Sequence, residues 1–93
     1  MKTQFTPGPW RVGPTALVPT VTRIQAGHAL IASVYRAGEG DSQREGNARL
    51  IAAAPDLLAA LHDMVHYDDL PEAEQAPAMA KARAAIAKAQ GQP

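Results

Sequence analysis

A proline in the middle of an apolar helical stripe constrains this chain more than any other feature. Leu50, Ile51, Ala54, Leu57, Leu58, Leu61, Met64 and Val65 recur at steps of three and four, the spacing of one face of an α-helix. Pro55 falls inside that pattern. In a helix interior a proline costs roughly 3 kcal/mol, because it removes a donor and clashes with the preceding turn. At a helix start it costs little, since the N–H it lacks would have no partner there. The stripe therefore predicts a bent helix over 42–67, in two parts of about 42–54 and 55–67. Asp56 then lies in the first turn of the second part, where a carboxylate suits the helix dipole. Ser42 and Glu45 have the spacing of a capping box at the start of the first part.

The chain before this helix reads as β-structure. Thr6-Pro7-Gly8-Pro9 is extended or turn-like, because each proline fixes its own φ and restricts its predecessor. Trp10-Arg11-Val12 reads as a short edge strand closed by Gly13-Pro14. Pro19 interrupts the next run, so the second strand starts after it or contains a bulge. That strand is Thr20 to Gln25, rich in β-branched residues. Ala26-Gly27-His28 is a turn. Ala29 to Arg36 is the strongest strand, with Leu30, Ala32 and Val34 on one face and Ile31, Ser33 and Tyr35 on the other. Gly38-Glu39-Gly40-Asp41 reads as a flexible loop.

After the bent helix, Asp68-Asp69-Leu70 is a turn, and Asp69 and Glu72 again show capping-box spacing. Pro71 opens a C-terminal helix over 71–90, Pro77 restarts it, and Gly91 closes it as the residue after the cap. Met79, Ala82, Ile86 and Ala89 form its apolar stripe. The expected fold class is α+β: an antiparallel β-meander of about three strands over 9–37, then two α-helices, the first bent at its proline. No repeat or second domain is seen, so 1–93 reads as one domain. A chain of 93 residues buries only ~60–65% of its unfolded surface. Its core is thin, and a homo-oligomer, dimer or higher, is expected to enlarge it.

Composition excludes several functions. The chain has no cysteine, which removes disulfides, thiolate zinc sites and cysteine nucleophiles. No run approaches the ~18 apolar residues of a membrane span, and the N-terminus lacks the apolar core of a signal peptide. A soluble protein without a membrane partner is expected. Nine basic and nine acidic residues give zero formal net charge, so a duplex-DNA partner is not expected either. The charges are segregated, however. Residues 1–38 carry Lys2, Arg11, Arg23 and Arg36 and no acids, whereas 62–76 carry Asp63, Asp68, Asp69, Glu72 and Glu74 and no Lys or Arg.

No constellation points to catalysis. His62 and His66 stand at i and i+4, the spacing of a helical zinc pair. Asp63 is too short for the general base of that motif, and no downstream His or Cys supplies a third ligand. Two polar histidines near a helix C-terminus are the ordinary alternative. Ser33 and Ser42 lack a nucleophile elbow, and Gly38-Glu39-Gly40 lacks the rest of a nucleotide fingerprint. The expectation is a non-enzyme with no cofactor and no metal site.

Arginine offers more. Arg11, Arg23 and Arg36 come from three expected strands, and Arg44 and Arg49 flank Asn47 at the helix start. Arginine grips phosphate bidentately and stacks on bases. Asn47 adds an amide edge, and Trp10 and Tyr35 add stacking planes. Trp10, Arg11, Arg23, Arg36, Arg44, Asn47 and Arg49 are therefore the candidate ligand-binding residues. The alternative for each is structural: solvated strand arginines, helix arginines paired with Glu45 or Asp56, and a core tryptophan.

Two motifs carry a resemblance. Thr6-Pro7-Gly8-Pro9-Trp10, followed by Asn47-Ala48-Arg49-Leu50-Ile51-Ala52-Ala53-Ala54-Pro55-Asp56-Leu57-Leu58, resembles a group of small phage and prophage proteins, most without assigned function. It covers residues 6–12, 45–61 and, loosely, the basic alanine-rich C-terminal helix. The layout of a small sheet followed by two helices is also similar to phage anti-defence sponge proteins. Those sequester nucleotide second messengers, such as cyclic oligonucleotides and cyclic ADP-ribose isomers of the CBASS and Thoeris systems. The resemblance implies a cyclic-nucleotide partner held without chemistry in the cytoplasm of an infected bacterium. It transfers no site residue. The other reading is a phage antagonist that contacts a host defence protein directly, as an anti-CRISPR does, through the acidic 62–76 segment or an exposed sheet edge.

Overall fold

A computed structural model describes residues 4–13, 21–35 and 41–91, with side chains from Gln43 onward in the last range. The sheet is an antiparallel meander of β1 (Arg11–Val12), β2 (Val21–Ala26) and β3 (Ala29–Tyr35), in that spatial order. Three helices follow: α1 (Asp41–Ala52), α2 (Ala54–Val65) and α3 (Glu72–Ala89), with a 3-10 turn at Tyr67–Asp69 before the last. The α+β class and the strand count agree with the sequence. The Thr15–Pro19 segment, Arg36 and the Gly38–Gly40 loop lie outside the described residues, as does the Ser42 side chain of the expected capping box.

Gly27 makes the β2–β3 turn with a φ of 60°, a conformation that costs glycine little. The register runs Val21↔Tyr35, Thr22↔Val34, Arg23↔Ser33 and Ile24↔Ala32, then shifts so that Gln25 opposes Leu30. Ile31 is the extra residue of this bulge. The bulge corrects the expected alternation of β3. Ile31 packs with Ala32 and Val34 against the core, while Leu30 turns out to solvent.

Pro55 divides the long helix as expected. Ala53 is the N-cap of α2, and Pro55 stands within its first two positions. The backbone barely breaks, because Ala53 N–H still donates to Arg49 O at 3.0 Å and Leu57 N–H to Ala53 O at 2.8 Å. The buried face is not the expected one. Ala48, Ala52, Ala53 and Ala60 are buried, whereas Leu50, Leu58, Leu61 and Val65 are exposed. Alanine on the inner side lets α1 lie close on the sheet, where Ala48 and Ala52 meet Ile24 and Val34. Among the described residues Ile24 is the sole large side chain fully buried.

α3 returns antiparallel to α2. Lys81 reaches Asp63 at 3.1 Å and Lys88 reaches Asp56 at 2.6 Å, so the order of partners reverses along the two helices. This contact also uses alanine, with Ala78 and Ala85 buried in place of the expected stripe, whose Ile86 is exposed. Two further expectations are corrected. Pro77 does not restart the helix, which runs through it. The carbonyl it leaves without a donor is that of Ala73, and both residues are exposed, so water can serve there. Pro71, not Asp69, is the N-cap, and no side chain caps it. Gln75 fastens this corner instead, its Nε2 donating to Tyr67 O at 3.2 Å and Leu70 O at 3.4 Å. At the other end Gly91 has a φ of 72° and its N–H donates to Lys88 O, as expected of the residue after a helix cap.

Candidate functional site

The Thr6-Pro7-Gly8-Pro9-Trp10 segment is pinned from three sides. Trp10 packs its ring against the cluster of Ile24, Val34, Ala48 and Ala52. Its Nε1–H donates to Thr6 O at 2.9 Å, and Phe5 meets the ring edge-on at 6.5 Å between centroids. Lys88 donates to Trp10 O at 2.9 Å while it pairs with Asp56. Gly8 lies so close to Pro55 that a Cβ there would approach the proline Cβ to 3.2 Å. The two sequence motifs therefore touch at the Gly8–Pro55 contact, and each has a packing role.

The pinned segment also walls a concavity. Thr6, Pro7, Gly8, Pro9, Arg11, Ala26, Gly27 and His28 line a volume of about 610 Å3 beside the sheet. The register explains why these residues meet. Arg11 pairs with Gln25 near the end of β2, so the β2–β3 turn and His28 lie beside it. Arg11 and His28 are both exposed. They place a guanidinium and an imidazole on one concavity whose remaining lining is mainly proline, glycine and alanine. Its size lies within the ~300–1,000 Å3 usual for small-molecule sites. His28 was not among the residues singled out from sequence. Its signal was the hairpin register, which sets the turn next to an edge strand.

The other candidates are dispersed. Val12 and Ile24 are partners on the helix-facing side of the sheet, so Arg11 and Gln25 face the other way. Arg23 shares that outer face, diagonal to Arg11, and is exposed opposite Ser33. Arg49 lies on the far side of the sheet. It lines a smaller hollow of about 220 Å3 with Val12, Gly13, Thr22 and Glu45, and stands 3.9 Å from Glu45. Asn47 is exposed on α1, and Arg44 is buried, 7% exposed. Arg36 lies outside the described residues. Of the seven residues, then, Arg11 and Arg23 share a face, Arg49 occupies a separate hollow, and Trp10 is committed to packing. The His62 and His66 rings are 6.3 Å apart on exposed positions. Among the described residues no group of three or more His, Cys, Asp or Glu side chains could hold a metal ion.

The model of the family described as Salmonella phage P22 protein Y8K6 matches residues 1–93. The chain belongs to this family. It is a small phage protein. No curated protein and no solved structure matches it. Among the described residues no helix of this family member is long and apolar enough to cross a membrane.

Proposed function

We propose that this phage protein is a non-catalytic binder of a nucleotide second messenger, acting against host defence in the cytoplasm of the infected cell. The observation that carries the reading is the concavity of about 610 Å3 in which Arg11 and His28 stand over proline and alanine walls. A guanidinium suits a phosphate, and a flat apolar wall suits a base or ribose. Arg23, diagonal to Arg11, adds positive charge to the same sheet face. The segregation of charge supports the same reading, because residues 1–38 contain no acid to repel an anion. Calorimetric titration of the full chain with cyclic oligonucleotides and cyclic ADP-ribose isomers tests it. Saturable heat with one of them is expected, and no heat with any of them sinks it.

A second reading rests on the corner between α2 and α3. Asp68, Asp69, Glu72 and Glu74 are all exposed there, an acidic surface suited to a basic host protein. Capture of a stoichiometric host protein, abolished by Asp68→Asn with Glu72→Gln, would favour this antagonist.

A further inference from the structure

We infer that the outer face of the sheet is a platform for single-stranded nucleic acid, with Arg11 and Arg23 on its phosphates and Tyr35 stacked on one of its bases. The register sets these three side chains on one line. Arg11 pairs with Gln25, Arg23 with Ser33 and Tyr35 with Val21. Arg11 is thus diagonal to Arg23, and Arg23 to Tyr35, one residue from each strand, at steps of ~7–8 Å. Alternation turns all three away from the helices, because their neighbours Val12, Ile24 and Val34 lie on the helix-facing side. All three are exposed, Tyr35 to 67%.

The occupant follows from charge and from the aromatic ring. No acidic residue stands in β1, β2 or β3, so nothing in the strands offsets the two guanidinium groups, and the face suits an anion. The Gln25 amide leans over Gly13, so close that a Cβ there would meet Gln25 Cδ at 3.0 Å. That lean crosses the line from Arg11 to Arg23 and sets a donor and an acceptor between them, fit for the edge of a base. An acidic peptide would satisfy the arginines but gives Tyr35 and the amide no role. A duplex keeps its bases stacked within itself, out of reach of the ring. A single strand offers phosphates at regular intervals and unstacked bases, each with a face that stacks on an aromatic ring. Neither Arg23 nor Tyr35 lines the concavity beside Arg11, so this platform stands or falls independently of the second-messenger reading.

Fluorescence anisotropy of labelled oligouridylate and oligothymidylate, about ten nucleotides long, titrated with the full chain at low salt tests the platform. Saturable binding of either is expected, weakening with salt at a log–log slope of about −1.4 for two phosphates. Tyr35→Ala should weaken it about fivefold or more, the effect of losing one stacked base, and Tyr35→Phe should keep it. Arg23→Ala should weaken it and halve the salt slope. Arg83, exposed on α3, is the control, since Arg83→Ala removes the same charge from the helix layer and should change neither. All of these positions are exposed, so the far-UV circular dichroism should stay that of the wild type. No binding of either oligonucleotide at hundreds of micromolar protein overturns the proposal, as does full binding by Tyr35→Ala. Equal losses from Arg23→Ala and Arg83→Ala overturn it too, because they mark attraction by charge without a site.

Discussion

Lys88 Nζ lies 2.6 Å from Asp56 Oδ2, across 32 residues of chain. The contact joins the end of α3 to the start of α2, and Lys88 also holds the carbonyl of Trp10. Both side chains of the pair are partly exposed, so the ion pair itself stabilises by about 1 kcal/mol or less. Lys88→Met should lose that and the bond to the Trp10 carbonyl, roughly 1–2 kcal/mol in all. Asp56→Asn should cost less, since it leaves the Trp10 bond in place. Urea unfolding of the two variants and their double mutant would measure the coupling.

Ala48 is fully buried against the sheet. Ala48→Leu should lift α1 from β2 and β3 and destabilise by about 1–3 kcal/mol, the usual range for overpacking. Ile24→Ala removes the large side chain at the same contact and should cost about 2–4 kcal/mol. Thermal unfolding followed by circular dichroism would rank them.

Arg11 and Arg49 line different concavities on opposite sides of the sheet. If the proposed ligand occupies the larger one, Arg11→Ala should weaken its binding by about tenfold to a hundredfold, equivalent to roughly 1.4–2.8 kcal/mol. Arg49→Ala should leave the titration unchanged. The reverse pattern would move the site to the α1 side of the sheet.

Gly91 carries the left-handed turn after α3, and a Cβ there would come within 2.5 Å of Arg49 Cδ. Gly91→Ala should destabilise by about 1–2 kcal/mol through the backbone conformation alone. It should also push the Arg49 side chain aside. Chemical shifts of the Arg49 side chain, compared between wild type and variant, would detect that displacement.

Pro77 stands inside α3 at an exposed position. Pro77→Ala should restore the missing helical hydrogen bond to Ala73 and raise stability by about 1–2 kcal/mol. A higher midpoint in urea with an unchanged slope would confirm it.

Much of the fold was legible because local chemistry decides it. β-branched runs marked β2 and β3, Gly27 marked the turn between them, and Pro55 marked the break between α1 and α2. The choice of buried face was not legible. A three-and-four spacing of leucines identifies a helix face, but the close approach of α1 to the sheet selects alanine at Ala48 and Ala52. The bulge that exchanges the roles of Leu30 and Ile31 arises from strand pairing, which no single strand reveals. Pro77 misled because the cost of a proline falls where its orphaned carbonyl meets water. For the candidate site, Arg11 was visible as a residue type, but its neighbour His28 depended on the register of β1 against β2.

The bond from Lys88 to the Trp10 carbonyl spans 78 positions. During synthesis Trp10 emerges long before the lysine that fastens it. The Gly8–Pro9 wall of the larger concavity must therefore wait, undocked on that side, until α3 has been made and folded back. The other fastenings of that wall, the Trp10 packing and the Gly8–Pro55 contact, draw on residues made earlier, so α3 adds the last of them.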